Sequence, residues 1–383
     1  MSKGEHVMSL TTDRKEGSPS GPALPGTGGT VDPVFAERRG ERGIVTMLAL
    51  GGGIALLAMA ALVMDVGYIV LTRTQLQSIA DAGAASGGRE LGRVYDEMGN
   101  KDYRKYTLTA ADKARILANI NEFSQQNYAA GKSVDIAAAD VVIGTWNKQT
   151  GAVTATDTGA DAVQIRARRD ETVNGAVSTL LASVVGVDTF KVSASAAAAG
   201  VASVSSIPAG KADIPVGISK AWFTAKDSPC GTDSAIRFHP TNSTIGCAGW
   251  HTFNDPSHSA STLRKIIEGL EDGTYTAPAV VAGSTYFNFT GGTVSSAYDE
   301  FEDLYKAKRD AANNWRVLVP VYDSDGCGNP SGFTKIIGFA RARIYSVTKQ
   351  QIDANVECDI IDFGSSENTT YYGMAVAKPR TIQ

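Results

Sequence analysis

Residues 43 to 64 read GIVTMLALGGGIALLAMAALVM, a run with no charged side chain. As an α-helix rising about 1.5 Å per residue it would be about 33 Å long, against a bilayer hydrocarbon core of about 30 Å. A soluble helix of that length keeps a polar stripe for water, and this run has none. It therefore predicts a membrane-spanning helix. Arg38, Arg39 and Arg42 crowd its N-terminal flank, whereas Arg73 is the nearest basic residue beyond it. Basic flanks stay on the cytoplasmic side, which places residues 66 to 383 across the membrane.

Ala58-Met59-Ala60 before Ala61 has the small-residue pattern of a signal-peptidase site. The apolar run continues past it through Leu62, Val63 and Met64, so an uncleaved anchor is the expectation. Prepilin-type cleavage calls for Glu at the fifth mature position. Leu48 or Val45 would stand there after Gly43 or Gly40. Gly51, Gly52 and Gly53 lie inside the run, with Ala49 and Gly53, and Gly51 and Ala55, four apart. Small residues at that spacing allow close helix packing in lipid, and hence a helix-mediated oligomer, although an Ala/Gly-rich anchor reads the same way.

Residues 1 to 42 are rich in Gly, Pro, Ser, Thr and charge, a composition that predicts disorder. The net charge of −4 gives no basic field for nucleic acid. All four cysteines, Cys230, Cys247, Cys327 and Cys358, lie on one side of the apolar run. That distribution fits disulfides in an oxidising compartment, with buried thiols as the alternative. No C-x-x-C spacing favours zinc. The shorter loops predict Cys230 with Cys247 and Cys327 with Cys358.

Residues 42 to 90 combine Arg42-Gly43, the apolar run, Asp65-Val66-Gly67, Arg73, Leu76-Gln77, Ala80-Asp81-Ala82 and Ala84-Ala85. In this combination the stretch resembles the N-terminal domain of the Flp/Tad pilus-assembly proteins of the TadE/TadG-like group. Val141 to Trp146 (VVIGTW), Ala162 to Arg169 and Val184 to Ala199 follow in the order such proteins show. The resemblance implies a component of the tight-adherence system with a bacterial inner-membrane anchor, a periplasmic C-terminal domain, and Tad pilus-assembly proteins and the lipid bilayer as partners. Some longer relatives carry a D-x-S-x-S metal site. Here Asp323-Ser324-Asp325-Gly326 breaks that pattern.

The expected fold class is α+β. A single transmembrane helix extends into a pilin-like stalk, followed by a periplasmic α+β domain and a β-rich C-terminal domain. The expected boundaries are a tail over 1–42, an anchor and extension over 43–94, and domains over 95–200 and 201–383. The helical spacing of Val66, Ile69, Val70, Leu76, Ile79 and Ala80 carries the helix beyond the membrane, and Gly87-Gly88 offers a stop. A second helix is expected over 110–128 and strands over 141–146, 152–156, 162–168 and 190–199. An amphipathic helix is expected over 173–185. Beyond 200, strands are expected over 214–218, 236–238, 316–322 and 336–347, and helices over 261–270 and 296–313. The run Val317 to Val321 is apolar on both faces and so reads as a central strand.

Little in the chain points to catalysis. Gly131-Lys132-Ser133 lacks the earlier glycine of a phosphate loop and follows a helix. His251 and His258 lie seven apart in a loop pattern, where a metal pair is weaker than an ordinary polar loop. Asp323, Asp325 and Asn329 faintly resemble a calcium loop, but Thr334 stands where the closing Glu would be, and with Cys327 inside the segment a disulfide-tethered turn is the better reading. Asp65, at the edge of the run, marks the boundary or meets a partner's cation. Arg73, Gln77 and Asp81, four apart, share one helical face and form a solvated or docking surface. The function expected is a non-catalytic, membrane-anchored pilus-assembly component without a cofactor. The alternatives are an anchored periplasmic ligand-binding or adhesin protein and, further off, an envelope hydrolase.

Overall fold

The computed structural model describes residues 39–231, 233–238, 246–292, 294–328, 330–366 and 370–382. Most of the expected disordered tail, together with His6, His239 and Asn329, lies outside them. The chain divides into two compact units, Met1–Ala58 and Met59–Gln383. Helix α1 (Arg39–Asp96) supplies the described part of the first and the opening element of the second. In the first unit its apolar side chains, among them Ile44, Met47, Leu50 and Leu57, are largely exposed. Residues 43–64 belong to a helix long and apolar enough to cross a membrane.

In the second unit α1 changes character. Leu76, Ile79, Ala80, Ala84 and Leu91 are buried on one face. They pack on an antiparallel sheet whose strand order is Arg380–Ile382, Val192–Ala199, Ala162–Arg169, Val141–Trp146 and Val153–Ala155. Across the two central strands Val163 pairs with Ala198, Ile165 with Ala196 and Ala167 with Ala194. Each pair sets a larger side chain or an Ala against Ala, which keeps this face low and lets a helix approach. The helix does not stop at Gly87-Gly88. A Cβ on Gly87 would lie 2.9 Å from Ile120, and one on Gly88 would lie 3.3 Å from the Gly200 backbone. These glycines are where the helix touches its neighbours, and packing outweighs a propensity cost of about 1 kcal/mol each. Helix α2 (Ala110–Ser124) opens with a reciprocal capping box between Thr109 and Asp112 and buries Ile116 and Ile120 against α1 and the sheet.

The amphipathic helix expected over 173–185 is not formed. The segment is a hairpin, Val177–Ser178 paired with Thr189–Phe190, whose tip holds one 3-10 turn, Ala182–Val185. Gly186, at φ 84°, reverses the chain there, and a tip that short leaves no room for a regular helix.

The remaining chain builds a larger antiparallel sheet with one parallel pair. Its order is Ala235–Arg237, Gln351–Glu357, Ser331–Thr348, Trp315–Tyr322, Val216–Ser219 and Ala248–Trp250, with Tyr286–Thr290 on the outer part of the long strand. The strand Trp315–Tyr322 is central, as its apolar faces require. Val317, Val319 and Val321 join the core containing Leu263 and Ile267 of helix α4 (Ala260–Asp272) and Phe301 and Leu304 of helix α5 (Tyr298–Lys308). Leu318 and Tyr322 join the opposite core with Phe287, Phe289 and Phe339. Helix α3 (Lys220–Thr224) is a single capped turn between the strand Val216–Ser219 and Cys230. A smaller sheet, Val280–Val281, Ala202–Ile207, Met374–Val376 and Asp359–Ile361, covers that second core. Helices and predominantly antiparallel sheets make the class α+β.

Candidate functional site

Asp65 follows directly on the last residue of the apolar run, yet it is only 1% exposed while Met64 and Val66 beside it are open. Its carboxylate accepts hydrogen bonds from three successive backbone N–H groups at the hairpin tip. These come from Leu180 at 2.6 Å, Leu181 at 3.2 and 3.3 Å, and Ala182 at 2.6 Å. The first turn of a 3-10 helix leaves such donors unpaired, and a carboxylate is their strongest acceptor. Asp65 is therefore an intramolecular cap joining helix to loop.

Further along α1, Gln77 donates to Asp81 Oδ1 at 3.1 Å and to the Ser195 carbonyl at 3.2 Å. Those two residues form a polar seam between the helix and the strand Val192–Ala199. Arg73, on the same face, is exposed. In the first unit nothing lies within 4 Å of a Cβ placed on Gly51, Gly52 or Gly53.

One ion cluster was not legible in the sequence. Glu90, buried on α1, bonds Arg115 of α2 and Arg93, and Arg115 also forks onto Glu97 at 2.6 and 2.7 Å. The Arg115 guanidinium holds the Glu97 carboxyl below the usual carboxylate range. The partners are 25 and 18 positions apart in sequence, so only the pairing of the two helices brings them together.

The cysteines do pair, but not as the shorter loops predicted. Cys230 joins Cys358, with Cα atoms 5.4 Å apart, and Cys247 joins Cys327, at 4.2 Å. Sheet order decides this. Val216–Ser219 lies between Ala248–Trp250 and Trp315–Tyr322, and Ser219 bonds both the Cys247 carbonyl and, through its hydroxyl, the Gly326 carbonyl. Likewise Ala235–Arg237 pairs with Gln351–Glu357, which brings Cys230 to Cys358.

The suspected ligand groups have other roles. Asp323 and Asp325 both hold the Lys220 ammonium, at 2.7 and 2.9 Å. His251 is fully buried among Phe253, Phe287 and Phe289, whereas His258 is exposed. Gly131-Lys132-Ser133 turns a two-residue hairpin, with Ala130 and Gly131 at positive φ. Among the described residues no cluster of three His, Cys, Asp or Glu is placed to hold a metal. A cleft of about 450 Å³ between α2 and the strand Val141–Trp146 carries Lys113 and Asp157, which pair with each other at 2.8 Å.

Two family models match. Residues 43–90 match a family described as "Putative Flp pilus-assembly TadE/G-like", and residues 96–198 match one described as "Putative Tad-like Flp pilus-assembly". The first stretch falls within α1, and the second takes in α2 and four strands of the sheet packed on α1. No curated protein and no solved structure matches the chain. The matched families point to a role related to pilus assembly and to a non-enzymatic one.

Proposed function

We propose that this chain is a membrane-anchored, TadG-like component of the Flp (Tad) pilus machinery, working as a structural or assembly part without catalysis. The match of residues 43–198 to the two pilus-assembly families carries the reading. The exposed apolar helix supports an anchor in the bilayer, and the two disulfides support an oxidising compartment for the C-terminal part. In this reading residues 1–42 are a cytoplasmic tail and residues 43–94 are the inner-membrane anchor with its extension. Residues 95–200 and 201–383 are periplasmic domains. Gly51, Gly52 and Gly53 give a face for another helix in lipid, and other Tad assembly proteins are the partners.

Deletion of the gene is expected to abolish or sharply reduce surface pili seen by electron microscopy, with restoration by the intact chain. Unchanged piliation and adherence would overturn the role. A phosphatase reporter fused after residue 383 is expected to be active in the periplasm, and activity only of a cytoplasmic reporter there would reverse the topology.

A further inference from the structure

The hairpin tip that Asp65 caps has a chemistry the fold does not use. From Ser178 to Val187 it reads STLLASVVGV, with no charged side chain. Leu180 is 57% exposed, Leu181 40%, Val184 85% and Val187 42%. Aliphatic side chains gathered on one tight loop and turned to solvent are the usual mark of a contact surface. The tip is also a built element. Thr179 bonds the Asp188 and Val187 carbonyls, and Gly186 closes the turn.

Its position identifies the occupant. The three amides bonded to Asp65 fix the tip beside the residue that follows the 43–64 run. On the helix, Leu62, Val63 and Met64 before Asp65 and Val66, Val70 and Leu71 after it are all exposed. The apolar surface of the tip thus lies beside the exposed apolar surface of residues 62–71, and the Asp65 carboxylate at this level is covered by the tip. A buried charge satisfied by three amides lets the apolar surface pass this point without presenting an ion to lipid.

We propose that the 178–187 hairpin is a second membrane contact, seated in the interfacial layer of the bilayer where α1 emerges and held there by Asp65. It rests on the reading that α1 spans the bilayer. Loop and helix then grip the membrane at two points, which fixes the rotation of the helix about its axis as well as its depth.

The full chain is reconstituted in phosphatidylcholine/phosphatidylglycerol vesicles with a nitrobenzoxadiazole label at either Val184→Cys or Leu62→Cys. Quenching by doxyl-labelled lipid and by aqueous iodide is then read. Both labels are expected to be quenched by lipid, with the Val184 site at least fivefold less accessible to iodide than the free dye. Asp65→Ala is expected to halve the lipid quenching at Val184 and leave that at Leu62 unchanged. Lipid quenching at Leu62 with none at Val184, and iodide reaching Val184 freely, would overturn the hairpin contact while the anchor stands. No lipid quenching at Leu62 would overturn both. Undiminished quenching at Val184 in the Asp65→Ala chain would overturn the holding role of Asp65.

Discussion

His251 carries a titration that the fold has moved far from its usual place. Burial among three phenylalanines pushes its pKa down to about 3, from about 6.5 in an unfolded chain. Between those values the unfolded chain binds the extra proton, so acid favours unfolding. The stabilisation from keeping His251 neutral is complete above about pH 6.5. It declines as the pH falls towards 3, by about 1.4 kcal/mol per pH unit at most. Denaturant midpoints of the detergent-solubilised chain between pH 7 and 4 should show this slope, and His251→Phe should flatten it. An equal slope in that variant would assign the acid sensitivity to other groups. Residue type made a His251–His258 metal pair thinkable. The sequence holds no sign that one of them sits among Phe253, Phe287 and Phe289, because two of those rings come from the strand Tyr286–Thr290, far along the chain from His251. Asp65 was read as marking a boundary or meeting a partner's cation, and its carboxylate instead accepts from amides more than a hundred positions away.

At the scale of elements, α1 and four of the five strands of the sheet it packs on were legible in the sequence, and the fifth, Arg380–Ile382, was not. Twenty-two uncharged residues, then an apolar face at helical spacing, then alternating strands each carry a local periodicity. Glycine misled where it served packing. Gly200 would place a Cβ 2.5 Å from the Gly88 carbonyl oxygen, which is backbone and cannot swing aside. Gly200→Ala is expected to destabilise the chain by about 1–3 kcal/mol. Gly87→Ala meets side chains alone, Ile120 at 2.9 Å and Val163 at 3.1 Å, and gains up to about 1 kcal/mol of helix propensity, so it should cost less than Gly200→Ala. Urea titration of both variants checks the contrast, and a larger loss for Gly87→Ala would contradict the packing. The hairpin at 177–190 was misread as a helix because apolar residues at 177, 180, 181, 184 and 187 have helical spacing without being buried on a helix face. Spacing reports which residues are apolar and says nothing of whether water or lipid meets them.

For the whole molecule, the disulfides show what sequence distance hides. Their partners are 128 and 80 positions apart, and sheet order overrules loop length. Mass mapping of unreduced peptides should recover Cys230 with Cys358 and Cys247 with Cys327. Recovery of Cys230 with Cys247 would refute the strand order around Val216–Ser219. Removing the Cys247–Cys327 bond as a double Ser variant is expected to cost about 2–5 kcal/mol, measured by denaturation against the oxidised parent.

The strand Arg380–Ile382 pairs with Val192–Ala199 and completes the sheet on which α1 lies. Until residues 380–382 have been synthesised, that sheet keeps a raw margin of Ala-rich backbone able to pair with any passing strand. Chains lacking residues 380–382 would therefore be adhesive to one another. Residues 380–382 act as a seal on a strand laid down nearly two hundred positions earlier.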